Sequence, residues 1–121
     1  MAAGKYDFVI EQGATFSRQV TWQNENGSAV DLTGYTLRGK IKRKASDQVA
    51  LIDLTLTVVT AASGIFSFSL TATQTASLPT SSGQTAEKEL LNCVYDIEAV
   101  NGSTVYRLLE GIASISPEAT R

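Results

Sequence analysis

An antiparallel two-layer β-sandwich is the fold this sequence predicts, with a small β-barrel as the alternative. Three observations predict it. Apolar residues recur with a period of two along most of the chain, the mark of strands with one face in a core and the other in water. Gly and Asn turn signals separate roughly seven or eight such runs at spacings of about ten residues. Helical periodicity is nearly absent, so the crossover helices of a parallel sheet have no source.

The first run sets Tyr6, Phe8 and Ile10 against Asp7 and Val9. Gly13 breaks it, and Phe16, Val20 and Trp22 then share a face opposite Ser17, Gln19, Thr21 and Gln23. These two strands are expected to be joined by a short turn. Asn24-Glu25-Asn26-Gly27-Ser28 reverses the chain, because Asn and Gly tolerate the positive φ of a tight turn, and residues 29–32 run back.

Leu37, Gly39 and Ile41 alternate with Arg38, Lys40 and Lys42, giving one strand an apolar and a cationic face. After a polar loop at residues 45–48, Ile52, Leu54, Leu56 and Val58 alternate with Asp53, Thr55, Thr57 and Val59, which reads as a single half-buried strand. Ser63-Gly64 turns it into Phe66, Phe68 and Leu70, completing a hairpin. Thr73 to Leu78 is the one helical candidate, capped by Thr71 or Thr73 and stopped by Pro79. Residues 80–89 are polar and read as the longest loop of a single domain.

Cys93, Tyr95, Ile97 and Ala99 lead to Asn101-Gly102, the strongest hairpin signal in the chain. A two-residue loop there places Asp96 opposite Arg107, Ile97 opposite Tyr106 and Tyr95 opposite Leu108. The charge pair contributes about 0.2–1 kcal/mol and serves to set register. The last strand is long, and Gly111 within it predicts a bulge or bend where the strand passes from one partner to another.

The chain has 121 residues, enough to bury roughly two thirds of its unfolded surface without staples. One cysteine and no histidine remove a disulfide framework, the usual zinc sites, the Cys-His dyad and the Ser-His-Asp triad. Cys93 reads as a small core residue. The twelve carboxylates form no motif: Asp96 and Glu98 share a strand face, but Arg107 is expected to keep Asp96 ionised instead of raising its pKa. P-loop, dinucleotide and calcium-loop patterns are missing. No secretory signal or membrane-span pattern stands out, so the expectation is a protein made in a host cytoplasm without cofactor, membrane or small-molecule substrate.

Five of the ten cationic residues lie in seven positions: Arg38, Lys40, Lys42, Arg43 and Lys44. With a net charge of −2 and no aromatic on the cationic face to stack a base, nucleic-acid binding is not expected. Two readings remain for Arg38, Lys40 and Lys42: a solvated edge strand guarded against aggregation, or contact with an acidic patch on a protein partner. The final hairpin adds a second candidate surface. One face carries Tyr95, Ile97, Tyr106 and Leu108 and the other Val94, Val105 and Leu109, so Val94 and Leu109 are candidate contacts with another copy or another subunit.

Four segments together resemble small virion structural proteins of tailed bacteriophages. They are Phe8-Val9-Ile10-Glu11-Gln12-Gly13-Ala14-Thr15-Phe16; Val30-Asp31-Leu32-Thr33-Gly34-Tyr35-Thr36-Leu37-Arg38; Tyr95-Asp96-Ile97-Glu98; and Arg107-Leu108-Leu109-Glu110-Gly111 running into Ile115-Ser116-Pro117-Glu118-Ala119-Thr120-Arg121. The resemblance implies an immunoglobulin-like sandwich similar to the N-terminal domain of upper-baseplate proteins. It implies a non-enzymatic adaptor or hub in the tail, baseplate or fibre-attachment region of the virion, contacting other virion proteins and copies of itself. The sequence departs from that pattern by carrying no coiled coil or fibre domain up to Arg121. Capsid decoration is the alternative role, and a carbohydrate-binding module the third. The tails, residues 1–5 and 118–121, are expected to become fixed on assembly.

Overall fold

The computed structural model describes residues 4–80 and 89–118. Nine strands follow one another: β1 (Gly4–Lys5), β2 (Phe8–Glu11), β3 (Phe16–Thr21), β4 (Thr36–Lys42), β5 (Ile52–Asp53), β6 (Thr55–Thr60), β7 (Ile65–Leu70), β8 (Leu91–Asn101) and β9 (Thr104–Ser116). They make two sheets. Sheet A has the order β1-β9-β8-β4-β5, with β2 also paired to β9, and sheet B has the order β3-β7-β6. Their inner faces enclose one hydrophobic core, in which Phe8 lies 4.8 Å from Phe16 and 4.6 Å from Tyr95 between ring centroids. This is the predicted sandwich, and the sheets do not close into a barrel.

The strand order is immunoglobulin-like: β3, β7 and β6 stand in the places of strands B, E and D, and β9, β8 and β4 in those of G, F and C. Cys93 on β8 is free and buried, so the inter-sheet disulfide common in antibody domains has no counterpart. In contrast to the all-antiparallel expectation, β1 and β2 run parallel to β9. The short turn at Gly13 therefore carries the chain from sheet A to sheet B and does not close a hairpin.

Residues 52–59 make two strands where one was expected. Ile52–Asp53 pairs with β4 in sheet A, and Thr55–Thr60 pairs with β7 in sheet B. At Leu54, whose backbone N–H donates to the Gly39 carbonyl at 2.9 Å, the chain crosses between layers. The alternation continues through the crossing because both strands face the same core. The hairpin from β6 to β7 matches expectation, as does the burial of Phe66, Phe68 and Leu70.

Helix α1 (Ala72–Ala76) starts at Thr71, which with Gln74 forms a reciprocal capping box. Its Thr75 is fully buried and ties the helix to the turn after β2: Oγ1 donates to the Ala14 carbonyl at 2.8 Å and accepts from the Gly13 N–H at 3.0 Å. The loop expected at residues 80–89 falls mostly outside the described residues, since 81–88 are not described. Of the tails, Gly4 and Lys5 pair with Leu109 and Glu110, while residues 1–3 and 119–121 lie outside the described residues.

The β8–β9 hairpin corrects the predicted register. Asn101 pairs with Thr104, so Gly102 and Ser103 are the loop, and Gly102 takes the positive φ of 60° at its first position, where a type II′ turn favours glycine. A second shift follows between Ile97 and Glu98, where Leu108 is the extra residue of a bulge. Asp96 then stands opposite Glu110, Ile97 opposite Leu109 and Tyr95 opposite Gly111. The bulge falls three residues before Gly111, where a bend was expected. Gly111 instead permits a close approach, since a Cβ there would lie 2.2 Å from the Tyr6 carbonyl oxygen. The N-terminal segment runs alongside β9 in one register there, and the neighbour of β9 changes from β1 to β2. The Tyr95 hydroxyl donates to the same Tyr6 carbonyl, and burial raises its pKa above the usual tyrosine range, with Asp7 adding to the shift.

Candidate interaction surface

The outer face of sheet A gathers most of the sequence-predicted contact residues. Alternation along β4 buries Gly39 and Ile41 and sends Arg38, Lys40 and Lys42 outward, as expected. Residues directly opposite one another form rows across the strands. One row is Arg38, Glu98 and Arg107; the next is Asp53, Lys40, Asp96, Glu110 and Lys5; a third is Lys42, Val94 and Ile112. Apart from Asp53 and Lys5, these residues line a groove of about 640 Å³.

The cations are not free. Arg38 Nε donates to Glu98 Oε1 at 2.8 Å, Lys40 Nζ to Asp53 Oδ1 at 2.7 Å, and Lys42 Nζ to the Asp47 carbonyl at 2.9 Å. Arg43 donates from Nη1 to the Asn92 carbonyl at 2.8 Å. Such exposed pairs contribute about 0–1 kcal/mol each, so they organise the face more than they stabilise it. They also turn a basic run in the sequence into a face of alternating sign. The solvated-edge reading of Arg38, Lys40 and Lys42 needs correction at one point: β5 covers β4 at Lys40 and Ile41, so the strand is an open edge only beyond that pairing.

One junction in the charge pattern is unfavourable. Asp96 and Glu110 are directly opposite, and Arg107 reaches both, at 3.5 Å to Asp96 and 4.0 Å to Glu110. Burial raises the Asp96 pKa; Arg107 and Lys42 oppose the rise, while Glu98 and Glu110 add to it. The expected dominance of Arg107 does not hold, because Arg107 is shared between Asp96 and Glu110 and does not offset the lost hydration of Asp96.

Val94 lies where expected, on the outer face between Lys42 and Ile112. Leu109 does not. It is 7% exposed on the core side beneath Gly4, because the bulge at Leu108 inverts the alternation and turns both leucines inward. The apolar residue beside Val94 on this face is instead Ile112, 42% exposed, with Val9 of β2 exposed one row further on. Glu110 and Ile112 were missed for the same reason. Their signal was present in the alternation of Glu110, Ile112 and Ser114, but reading it requires starting beyond the bulge.

The cysteine is where a core residue belongs. Cys93 is 1% exposed, and burial raises its thiol pKa, with Arg43 pulling weakly the other way. Most aromatics also face the core, as expected. At one end of the sandwich, however, Trp22, Tyr35 and Tyr106 form a cluster with centroids 5.8 to 6.2 Å apart, and Tyr106 reaches the surface. Among the described residues no group of three or more His, Cys, Asp and Glu side chains is arranged to hold a metal ion.

No protein-family model matches this chain, and no curated protein matches its sequence significantly.

Proposed function

We propose that this chain is a non-enzymatic structural subunit of a tailed-phage virion, an adaptor or hub in the tail, baseplate or fibre-attachment region that works by protein contact. The observation that carries the reading is the outer face of sheet A, where five strands present rows of paired charges beside the exposed apolar residues Val9 and Ile112. Charge rows held in register give a partner orientation and discrimination, and the apolar residues flanking them supply area whose burial drives association. The resemblance of the four sequence segments to virion structural proteins supplies the setting.

Incorporation tests this. The triple variant Arg38→Gln, Lys40→Gln, Lys42→Gln removes the cations without setting like charges opposite Glu98, Asp53 and Asp96, and it keeps the β-sheet circular dichroism of the wild type because all three side chains lie on the outer face. Wild-type protein is expected in purified particles and the variant is expected to be excluded from them. Equal incorporation of both overturns the assignment of this face.

Two other roles have distinct readouts. Capsid decoration places gold-labelled protein on heads instead of tails. The aromatic cluster ending in Tyr106 is the one feature that favours a carbohydrate-binding module, because an exposed ring can stack on a sugar. Glycan-array binding that is lost in Tyr106→Ala supports that role over the first.

A further inference from the structure

Five strands border the two sheets on four sides, and three of those sides carry short length or charge against pairing with another chain. In sheet A, one border is divided into the two-residue β1 with Lys5 and the four-residue β2 with Glu11, and the other is the two-residue β5, whose Asp53 is in an ion pair. In sheet B, β3 carries Arg18 at its middle, where Nε donates to the Tyr6 hydroxyl at 3.0 Å and the guanidinium lies over the Phe16 ring. Short length and charge are the usual ways in which an edge is kept from recruiting a strand.

β6 has neither. Thr55–Thr60 is Thr-Leu-Thr-Val-Val-Thr, six residues of high β-propensity with no charge and no proline. Among the described residues only β7 pairs with it, so its other side presents unpaired backbone N–H and C=O groups. Its one irregularity is the bulge between Val58 and Thr60, and that leaves Val58 40% and Val59 50% exposed.

We infer that β6 is the pairing edge for a second copy of this chain, joined antiparallel about a two-fold axis at Thr57. The unpaired main chain calls for a strand as occupant. The missing charge calls for an uncharged one, and the border strand of this molecule with that chemistry is β6 itself. A two-fold perpendicular to the sheet keeps the core sides of both copies on one side, so each residue must meet one of the same parity. With the axis at Thr57, Leu56 meets Val58 of the second copy on the core side and the two Thr57 side chains meet on the outer side. Sheet B becomes a continuous six-stranded sheet whose outer face is rich in Ser and Thr. The inference does not depend on the virion assignment, since it concerns a different sheet from the proposed partner face.

Sedimentation across a concentration series into the millimolar range tests it with the full chain. Wild type is expected to dimerise. Thr57→Lys and Thr57→Glu each place like charges opposite each other at the axis, and each is expected to weaken the dimer by at least about tenfold. Thr57 is exposed, so at dilutions where the wild type is monomeric both variants keep its thermal transition. A one-to-one mixture of the Lys and Glu variants is expected to restore the dimer. A wild type that stays monomeric, variants that dimerise as well as the wild type, or a mixture that stays monomeric overturns the inference.

Discussion

Asp96 and Glu110 stand directly opposite each other on neighbouring strands, and the Arg107 guanidinium spans them, 3.5 Å from one carboxylate and 4.0 Å from the other. Like charges at directly opposed positions destabilise a sheet, and a shared cation offsets that. The arrangement is a product of the bulge at Leu108. Without that extra residue Glu110 would face the core.

Arg107→Ala is therefore expected to destabilise the protein by about 0.5–1 kcal/mol, the scale of an exposed cross-strand pair. The side chain is 52% exposed, so solvent screening keeps the cost near that range. Adding Glu110→Gln removes the repulsion and is expected to recover most of the loss. Urea unfolding of the single and double variants checks both outcomes, and added salt narrows the gap between Arg107→Ala and wild type.

Two carboxyls are expected to respond to pH in opposite directions. Asp96 has its pKa raised, so its contribution is most favourable below the unfolded value of 3.8 and is lost as pH rises through the folded value. The stability of Asp96→Asn relative to wild type should thus improve between about pH 3 and about pH 7. Asp31 has its pKa lowered by hydrogen bonds from Thr33, including its backbone N–H at 2.8 Å, so its contribution is present above 3.8 and is lost as pH falls through the folded value. Asp31→Asn should show its deficit at neutral pH and lose it in acid. Thermal melts of the two variants across that range read both signs.

Gly111→Ala is expected to cost about 1–3 kcal/mol, the scale of forcing extra volume into a packed site. The new methyl would meet the Tyr6 carbonyl oxygen at 2.2 Å and Asp7 Oδ1 at 2.6 Å, so the N-terminal segment must lift from β9. Amide exchange should speed up across Phe8–Glu11, whose ladder to β9 is the adjoining structure. Unchanged protection there would contradict the role assigned to Gly111.

Thr75→Val is expected to cost about 1–3 kcal/mol, because it leaves the Gly13 N–H and Ala14 carbonyl without their buried partner. Thr75→Ser keeps the hydroxyl and should restore most of that. Chemical denaturation of the pair separates loss of the hydrogen bonds from loss of the methyl group.

What the sequence revealed and what it hid follow from what alternation encodes. Period-two patterning reports which side of a strand is buried, so the faces of β4 and β7 were legible at Gly39, Ile41, Phe66 and Phe68. It does not report which strand lies alongside, so the parallel pairing of β1 and β2 with β9 was not. Nor does it register a change of layer when both layers share a core, which is why the crossing at Leu54 was hidden. The single inserted residue Leu108 had the largest consequence for the surface: it sent Leu109 inward and brought Glu110 and Ile112 to the groove. Charge signs in β4 were legible, but their partners Glu98 and Asp53 come from different strands, and only the register joins them.

The most direct test of the account as a whole is mass spectrometry of tailed particles purified from cultures that produce this protein, separated into head and tail fractions. The chain is expected in the tail fraction at a fixed ratio to its neighbours. Its absence from the particles, with the protein present in the same lysate, would contradict it.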